Sequence, residues 1–328
     1  TLTTMDTTNQ NFTWQTWTFG GEAGSCALYD VAIIDENNIW AVGEIYMLDS
    51  LGRPDPNAYN AVHWDGQGWE LKKIKTNACG GVDYPPIKAI FAFSSNDILF
   101  AHIDGSISHF NGIGYTNDCS LITQLNGSAN KIWGRSRNDF YVVSGNGFIA
   151  HYQNGSWTKI ESGSNLQFTD IWGATDAKTG EQQILAVCTR NLPLDRGIYR
   201  IQGNNAAQIS SEPIQWELYA IWFVPNRHYY VIGNGIYEKK SLSDTLWKDN
   251  GFDITHYATT GIRGNGINDV FVAGAFGEVL HFNGVTWKSY INETDWFNGS
   301  YGGIVVKDNL VITVGYEGAQ AKIMIGYR

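Results

Sequence analysis

The chain repeats itself, and that repetition restricts it to folds that stack copies of one small unit. One copy runs through Ile262-Arg263-Gly264, Asn268-Asp269, Val270-Phe271-Val272-Ala273-Gly274, Val279-Leu280-His281-Phe282 and Asn283-Gly284-Val285-Thr286-Trp287. An earlier copy runs through Ile132-Trp133-Gly134, Asn138-Asp139, Phe140-Tyr141-Val142-Val143, Ile149-Ala150-His151-Tyr152 and Asn154-Gly155-Ser156-Trp157. Each apolar run has the length and β-branched or aromatic character of a strand. Asn-Asp suits a tight turn, because both side chains bond nearby backbone and tolerate the left-handed region. Asn-Gly is a preferred hairpin signal. Four antiparallel strands in about 45 residues make one blade of a propeller.

Seven units can be counted, with first strands at Tyr29–Ile34, Ile87–Phe93, Lys131–Gly134, Phe168–Gly173, Tyr219–Phe223, Ala258–Ile262 and Gly302–Val306. The His-aromatic element recurs at His63-Trp64, His109-Phe110, His151-Tyr152 and His281-Phe282, and is replaced in units four and five. The last unit stops after a third strand, Ala321–Tyr327. Phe12–Phe19 alternates like the Trp strands elsewhere, so it is expected to complete that unit and leave the ring no open edge. The expectation is an all-β, seven-bladed β-propeller of four-stranded antiparallel blades over residues 11–328. Residues 1–10 read as a linker or the tail of a preceding domain, as in a chain cut from a larger surface protein.

Composition narrows the partners. Charged residues are 16% and the formal net charge is −10, with no long Lys/Arg run. Nucleic acid is therefore not expected, because phosphate binding needs clustered cations. No segment offers the ~20 apolar residues of a membrane helix, so membrane insertion is not expected either. Aromatics at 14% and 37 glycines favour strands and turns.

The pattern resembles the β-propeller repeat class that includes kelch and Asp-box propellers. Asn283-Gly284-Val285-Thr286-Trp287 is similar to a shortened Asp-box hairpin without its Ser-x-Asp part. The nearest likeness is to secreted bacterial propellers, over about residues 12–328, which implies an extracellular, cell-surface or periplasmic setting. It implies no activity, since propellers host enzymes and binders alike.

No catalytic residue emerges. The recurrent histidines sit at one equivalent place per blade and read as packing; Asp97, Asp139 and Asp269 read as turn chemistry. Sialidase-like propellers gather arginines at the axis. Arg135 and Arg263 instead read as lying near the far end of strand one, away from the ligand face. No GxGxxG, P-loop, HExxH or GxSxG motif is present. Five Asn-x-Ser/Thr sequons begin at Asn11, Asn126, Asn154, Asn292 and Asn298. None of the four cysteines has zinc-site spacing. A Cys79–Cys119 or a Cys26–Cys79 bridge between neighbouring blades fits, and the first is the expectation. Cys188 reads as a buried thiol.

What remains is the part that does not repeat. Inter-blade loops and the loops joining strands two and three share one face, where function resides on a rigid scaffold. The loop Glu44–Asn60 offers Asp49, Arg53, Asp55 and Tyr59, and the loop Thr189–Gly197 offers Arg190, Asp195 and Arg196. Inter-blade loops add Asp83, Tyr84, Trp216, His256, Tyr257, Trp296 and Tyr301. Polar groups beside aromatics suit a glycan or a peptide. Asp49, Asp55 and Asn57 form a candidate Ca²⁺ set, the one cofactor considered. The expected function is a non-enzymatic, extracytoplasmic binding module for glycan or protein. A glycan hydrolase or lyase with its site at the axis, and a structural spacer, are the rivals.

Overall fold

The computed structural model describes residues 6–76, 79–125 and 128–328. They form seven four-stranded antiparallel sheets arranged as a closed propeller. The inner strands of blades one to seven are Ala27–Asp35, Ile87–Ser94, Ala129–Ser136, Gln167–Thr175, Leu218–Val224, Thr259–Gly266 and Gly299–Lys307. Two helical turns, Ile122–Leu125 and Gly251–Ile254, lie in inter-blade loops.

The core is divided among the seams between blades. Trp222, Tyr230, Ile262, Val270 and Leu280, for instance, fill the seam between blades five and six. Alternation makes this possible, because each strand sends successive side chains to opposite faces of its sheet. Each blade therefore buries both faces against its neighbours. Packing at one seam requires a glycine: a Cβ on Gly173 in blade four would lie 2.3 Å from the Trp133 ring of blade three.

The N-terminal strand Thr13–Phe19 closes the ring as expected. It pairs antiparallel with Gln320–Tyr327, from Thr13 opposite Tyr327 to Phe19 opposite Ala321. Residues before it are also anchored. The Asn268 side-chain amide donates to the Asp6 carbonyl at 2.7 Å, and the Gln10 amide donates to the His281 carbonyl at 2.9 Å. Arg328 grips the Asp269 carboxylate of blade six through both terminal nitrogens, at 2.7 and 2.5 Å.

The recurrent His and Asp belong to one device. His109 bonds Asp97 at 2.7 Å, His151 bonds Asp139 at 2.8 Å and His281 bonds Asp269 at 2.8 Å. Each pair ties strand three to the start of strand two. In blades three and six the imidazole also stacks on an aromatic of strand two, Tyr141 with His151 at 4.0 Å and Phe271 with His281 at 4.1 Å, whereas His109 faces Leu99. Blade one substitutes Asn38 for the acid, bonding His63 at 3.0 Å. Blade five exchanges the partners: His228 stands on strand two, Glu238 on strand three, and they meet at 2.8 Å. Burial pushes the Glu238 carboxyl up, but hydrogen bonds from His228 and Lys248 outweigh it and hold it at about 2.

His102 is the buried histidine outside this device. Its Nε2 meets the Ser108 hydroxyl at 2.8 Å, and burial holds its pKa down at about 4. A histidine held neutral when folded stabilises fully above the unfolded value near 6.5 and loses that contribution as pH falls toward the folded value. Burial also lowers His281, so its effect has the same sign. Between about pH 6.5 and 4 the His102 contribution should fall by about 3 kcal/mol. Urea unfolding across that range should show the loss, and His102→Gln should remove about one proton from its slope. An unchanged slope in the variant would refute the assignment.

Candidate functional site

Every inner strand carries a β-bulge at the same place. The extra residues are Tyr29, Lys88, Asn130, Thr169, Tyr219, Thr260 and Gly302. A bulge re-aims the side chain it frees. All seven of these residues line a chamber of about 70 Å³ at the mouth of the axial channel. Because inner strands start at the end where inter-blade loops enter, this mouth opens on the face that the sequence singles out.

Two ion pairs floor the mouth. Asp30 of blade one accepts from the Ile90 backbone N–H of blade two at 3.0 Å and from the Lys131 ammonium of blade three at 2.6 Å. Asp170 of blade four repeats the pattern, accepting from the Ile221 N–H of blade five at 3.0 Å. Arg263 of blade six then clamps it with both nitrogens, at 2.9 and 2.8 Å. Each aspartate thus staples three consecutive blades. Arg263, expected near the far end of its strand, instead points into the axis and also lies 4.9 Å from the Trp172 ring centre. Asp30, Lys131, Arg263 and Ile304 border both the mouth and a deeper chamber of about 170 Å³ walled by Ile90, Phe91, Ile171 and Trp172.

At the rim, the Tyr29 hydroxyl donates to Glu44, which also accepts from Tyr46 at 3.0 Å. The Lys88 ammonium sits 3.3 Å from the Tyr29 ring centre. Burial pulls the Lys88 pKa down and pushes that of Tyr219 up.

Large apolar side chains are exposed mainly on this same face, among them Leu51, Val82, Leu192, Trp216, Phe276 and Trp296. Two of these stack. Phe276 and Trp296 lie 5.5 Å apart with ring planes within 10°, and Tyr257 meets the Phe276 edge at 5.4 Å. Phe276 is 36% exposed and Trp296 58%. Phe276 holds φ at +59°, a region that is an outlier for a bulky residue. The equivalent turn of blade three has Asn146 at φ +55°, where a short polar side chain is tolerated. Backbone bonds fix the aromatic position: the Phe276 N–H donates to the Gly299 carbonyl at 2.9 Å.

The other expected residues fall into separate groups. Asp49 is gripped by Arg53 at 3.1 and 2.9 Å, and Asp55 by Lys73 at 2.8 Å. Both carboxylates of the Ca²⁺ set are thus committed to cations, while Asn57 gives its backbone N–H to Asp55. Among the described residues, no three His, Cys, Asp or Glu side chains are grouped to hold a metal ion. Lys73 also lies over the Tyr59 ring at 4.5 Å and the Tyr84 ring at 5.9 Å, and Asp83 pairs with Lys75 at 3.5 Å. These residues gather beside blade one.

Thr189–Gly197 is not an open loop. Strand pairing continues to Asn191 opposite Leu194, so a hairpin closes on Leu192-Pro193. It carries Arg190 and Asp195, 3.4 Å apart, with Arg196 alongside. Trp216 and His256 are exposed. Tyr301 is the exception: it sits in the inner strand of blade seven, fully buried, with its hydroxyl 3.4 Å from the Met324 sulfur. The alternation of its strand turns it into the seam, so it is removed from the candidate face. Cys79 and Cys119 do form a disulfide, with Cα atoms 5.5 Å apart, while Cys26 and Cys188 are free and buried. Asn126 lies outside the described residues.

Sequence reasoning passed over Phe276, Lys88, Tyr219 and the two staples. The signal for Phe276 was present in the aligned turns Asn146-Gly147 and Phe276-Gly277. The bulges leave no mark in one sequence.

No protein-family model matches the chain, and no curated protein does. Solved structures match along nearly its whole length. A structure of YCF48 bound to D1 peptide shares 15% identity at a TM-score of 0.70, covering 100% of this chain and 99% of that one. YCF48 from Cyanidioschyzon merolae shares 13% identity at 0.70, covering 96% and 98%. The WD40 β-propeller domain of Doa1 shares 14% at 0.68, covering 96% and 97%. At such identities the likeness is one of fold: the chain has the propeller architecture of these structures.

Proposed function

We propose that this chain is a recognition module that binds a segment of another protein on the face around the axial mouth, in an extracellular or cell-surface setting. The observation that carries this reading is the Tyr257–Phe276–Trp296 platform. A bulky aromatic held at positive φ and left exposed is a local cost that packing does not explain, and such outliers cluster at binding sites. Large aromatics are also the commonest anchors of protein interfaces. A protein of the same fold, YCF48, is seen bound to a peptide, which supports the choice of ligand class. The Cys79–Cys119 disulfide supports the setting, since such bonds persist in oxidising compartments. Among the described residues, no helix is long and apolar enough to cross a membrane.

The test is selection of a displayed peptide library on the whole chain, then affinity measurement on Phe276→Asn and Phe276→Asn/Trp296→Ala. Relief of left-handed strain, about 1 kcal/mol, offsets the removal of ring stacking, about 0.5–1.5 kcal/mol per aromatic pair. Phe276 belongs to two such pairs, so stability of Phe276→Asn should stay within about 2 kcal/mol of wild type, while selected peptides bind the double variant about tenfold more weakly or worse. Peptides that bind the double variant undiminished would sink the reading. So would a glycan array that yields ligands where the peptide library yields none.

A further inference from the structure

Seven equivalent bulge residues surround the axial mouth, and their hydrogen bonding separates them. The Tyr29 hydroxyl donates to Glu44, and the Thr260 hydroxyl donates to the Tyr301 carbonyl. Asn130 donates to the Phe168 carbonyl at 2.8 Å and accepts from Ser128 at 3.0 Å. The Thr169 hydroxyl donates to the Leu218 carbonyl at 3.1 Å. Gly302 has no side chain. That leaves Lys88 and Tyr219. Among the described residues, neither the Lys88 ammonium nor the Tyr219 hydroxyl has a hydrogen-bonding side-chain or carbonyl partner. Both are only partly exposed, and both border the same chamber.

Charge points the same way. Three cations and two carboxylates line the chamber. Asp30 is spent on Lys131, and Asp170 on Arg263. Lys88 is the cation left over. Outside the lining, Glu44 acts on Lys88 and Glu217 on Tyr219; the Glu44 oxygens already hold the hydroxyls of Tyr29 and Tyr46. The Lys88 ammonium itself is packed on the Tyr29 ring and, among the described residues, pairs with no carboxylate. An ammonium on blade two and a phenol on blade five thus face one chamber from opposite sides of the axis, and both can donate to an anion held between them, because charge-assisted hydrogen bonds are the strong ones.

We propose that the axial mouth is a carboxylate site in which Lys88 and Tyr219 are the donors. The two ion pairs cross its floor, between the mouth and the deeper chamber. At about 70 Å³ it admits a carboxylate end group and little more. The group enters end-on, as a chain-terminal carboxylate, an acidic side chain or a small free acid. The peptide sources rest on the protein-binding reading above; the free acid does not.

The experiment is calorimetric titration of the whole chain at neutral pH and fixed ionic strength. The probes are sodium acetate, N-acetylglycylglycine, the amide of that dipeptide, and N-acetylglutamic acid α-amide. Expected is at least about tenfold preference for N-acetylglycylglycine over its amide. Lys88→Met, which keeps the apolar stem, should abolish the preference, Lys88→Arg should restore part of it, and Tyr219→Phe should reduce it by roughly threefold. Melting temperatures check that the variants fold, and Lys88→Arg guards against a merely structural loss. Acetate binding as well as the dipeptide would identify a free acid as sufficient; preference for the glutamic probe would identify a side chain. Equal binding of dipeptide and amide, or a preference that survives Lys88→Met, overturns the proposal. Phe276→Asn/Trp296→Ala should keep the acid-over-amide preference, so failure of the protein-binding reading and failure of this site are told apart.

Discussion

Arg263→Ala is expected to lower folding stability by about 3–5 kcal/mol and the melting temperature by roughly 10 °C. The effect is large because of what the substitution leaves behind. Asp170 is 3% exposed, and its carboxylate would lose two charge-assisted bonds while keeping only the Ile221 N–H. Breaking one side of a buried pair costs far more than the pair contributes, since the surviving charge remains desolvated. Removing both partners should therefore be gentler than removing one. Arg263→Ala/Asp170→Ala is expected to recover part of the loss, and chemical denaturation of the four chains in a double-mutant cycle measures it. A double variant less stable than Arg263→Ala would refute the argument. Arg135 gives the contrast. It also contacts an aspartate, Asp139, but it is 43% exposed, so Arg135→Ala should cost at most about 1 kcal/mol.

Removal of the Cys79–Cys119 bridge is the second large effect. The bond closes a separation of 40 residues around blade two, linking the loops on either side of it. Chain-entropy arithmetic for a loop of that length gives about 4 kcal/mol for Cys79→Ser/Cys119→Ser. Urea unfolding of the variant, compared with the wild type with and without reductant, tests the size. Intact mass tests the connectivity. Alkylation of unfolded, unreduced protein should add two groups, on Cys26 and Cys188, and four after reduction. Four before reduction would show that no bridge exists. Alkylation of the native chain should be slow, since both free thiols are buried and burial pushes Cys188 up to about 12.

The architecture was legible because the repeat carries its own punctuation. Asn-Asp and Asn-Gly turns, His-aromatic strands and an unpaired strand at each end of the chain led to seven blades and to their closure. The recurrent His and Asp were rightly given to the scaffold, but their bonding to each other depends on register across two strands. Exchange of the same pair between His228 and Glu238 made blade five look as if it lacked the device, although the blade itself was counted, since the pattern sought a histidine on strand three. Tyr301 was misplaced because an aromatic beside loop residues looks the same whether its strand turns it outward or into a seam. Arg263 was misplaced because its strand runs on to Gly266 rather than ending at Ile262, and because its partner is 93 positions away in sequence and is met only across the axis. Lys88 and Tyr219 matter through what they lack, and an absent partner leaves no trace in a sequence.

The strand Thr13–Phe19 has a consequence for synthesis. Its partner begins at Gln320, about 300 residues later. At about 5–20 residues per second, the strand leaves the ribosome some 15–60 s before it can pair. Throughout that interval Trp14 and Trp17 are displayed on an alternating strand with an open hydrogen-bonding edge. Six blades can assemble in order while the seventh waits for its last residues. The outer strand of blade seven is thus made long before the three strands it joins, and it must stay unpaired until they emerge.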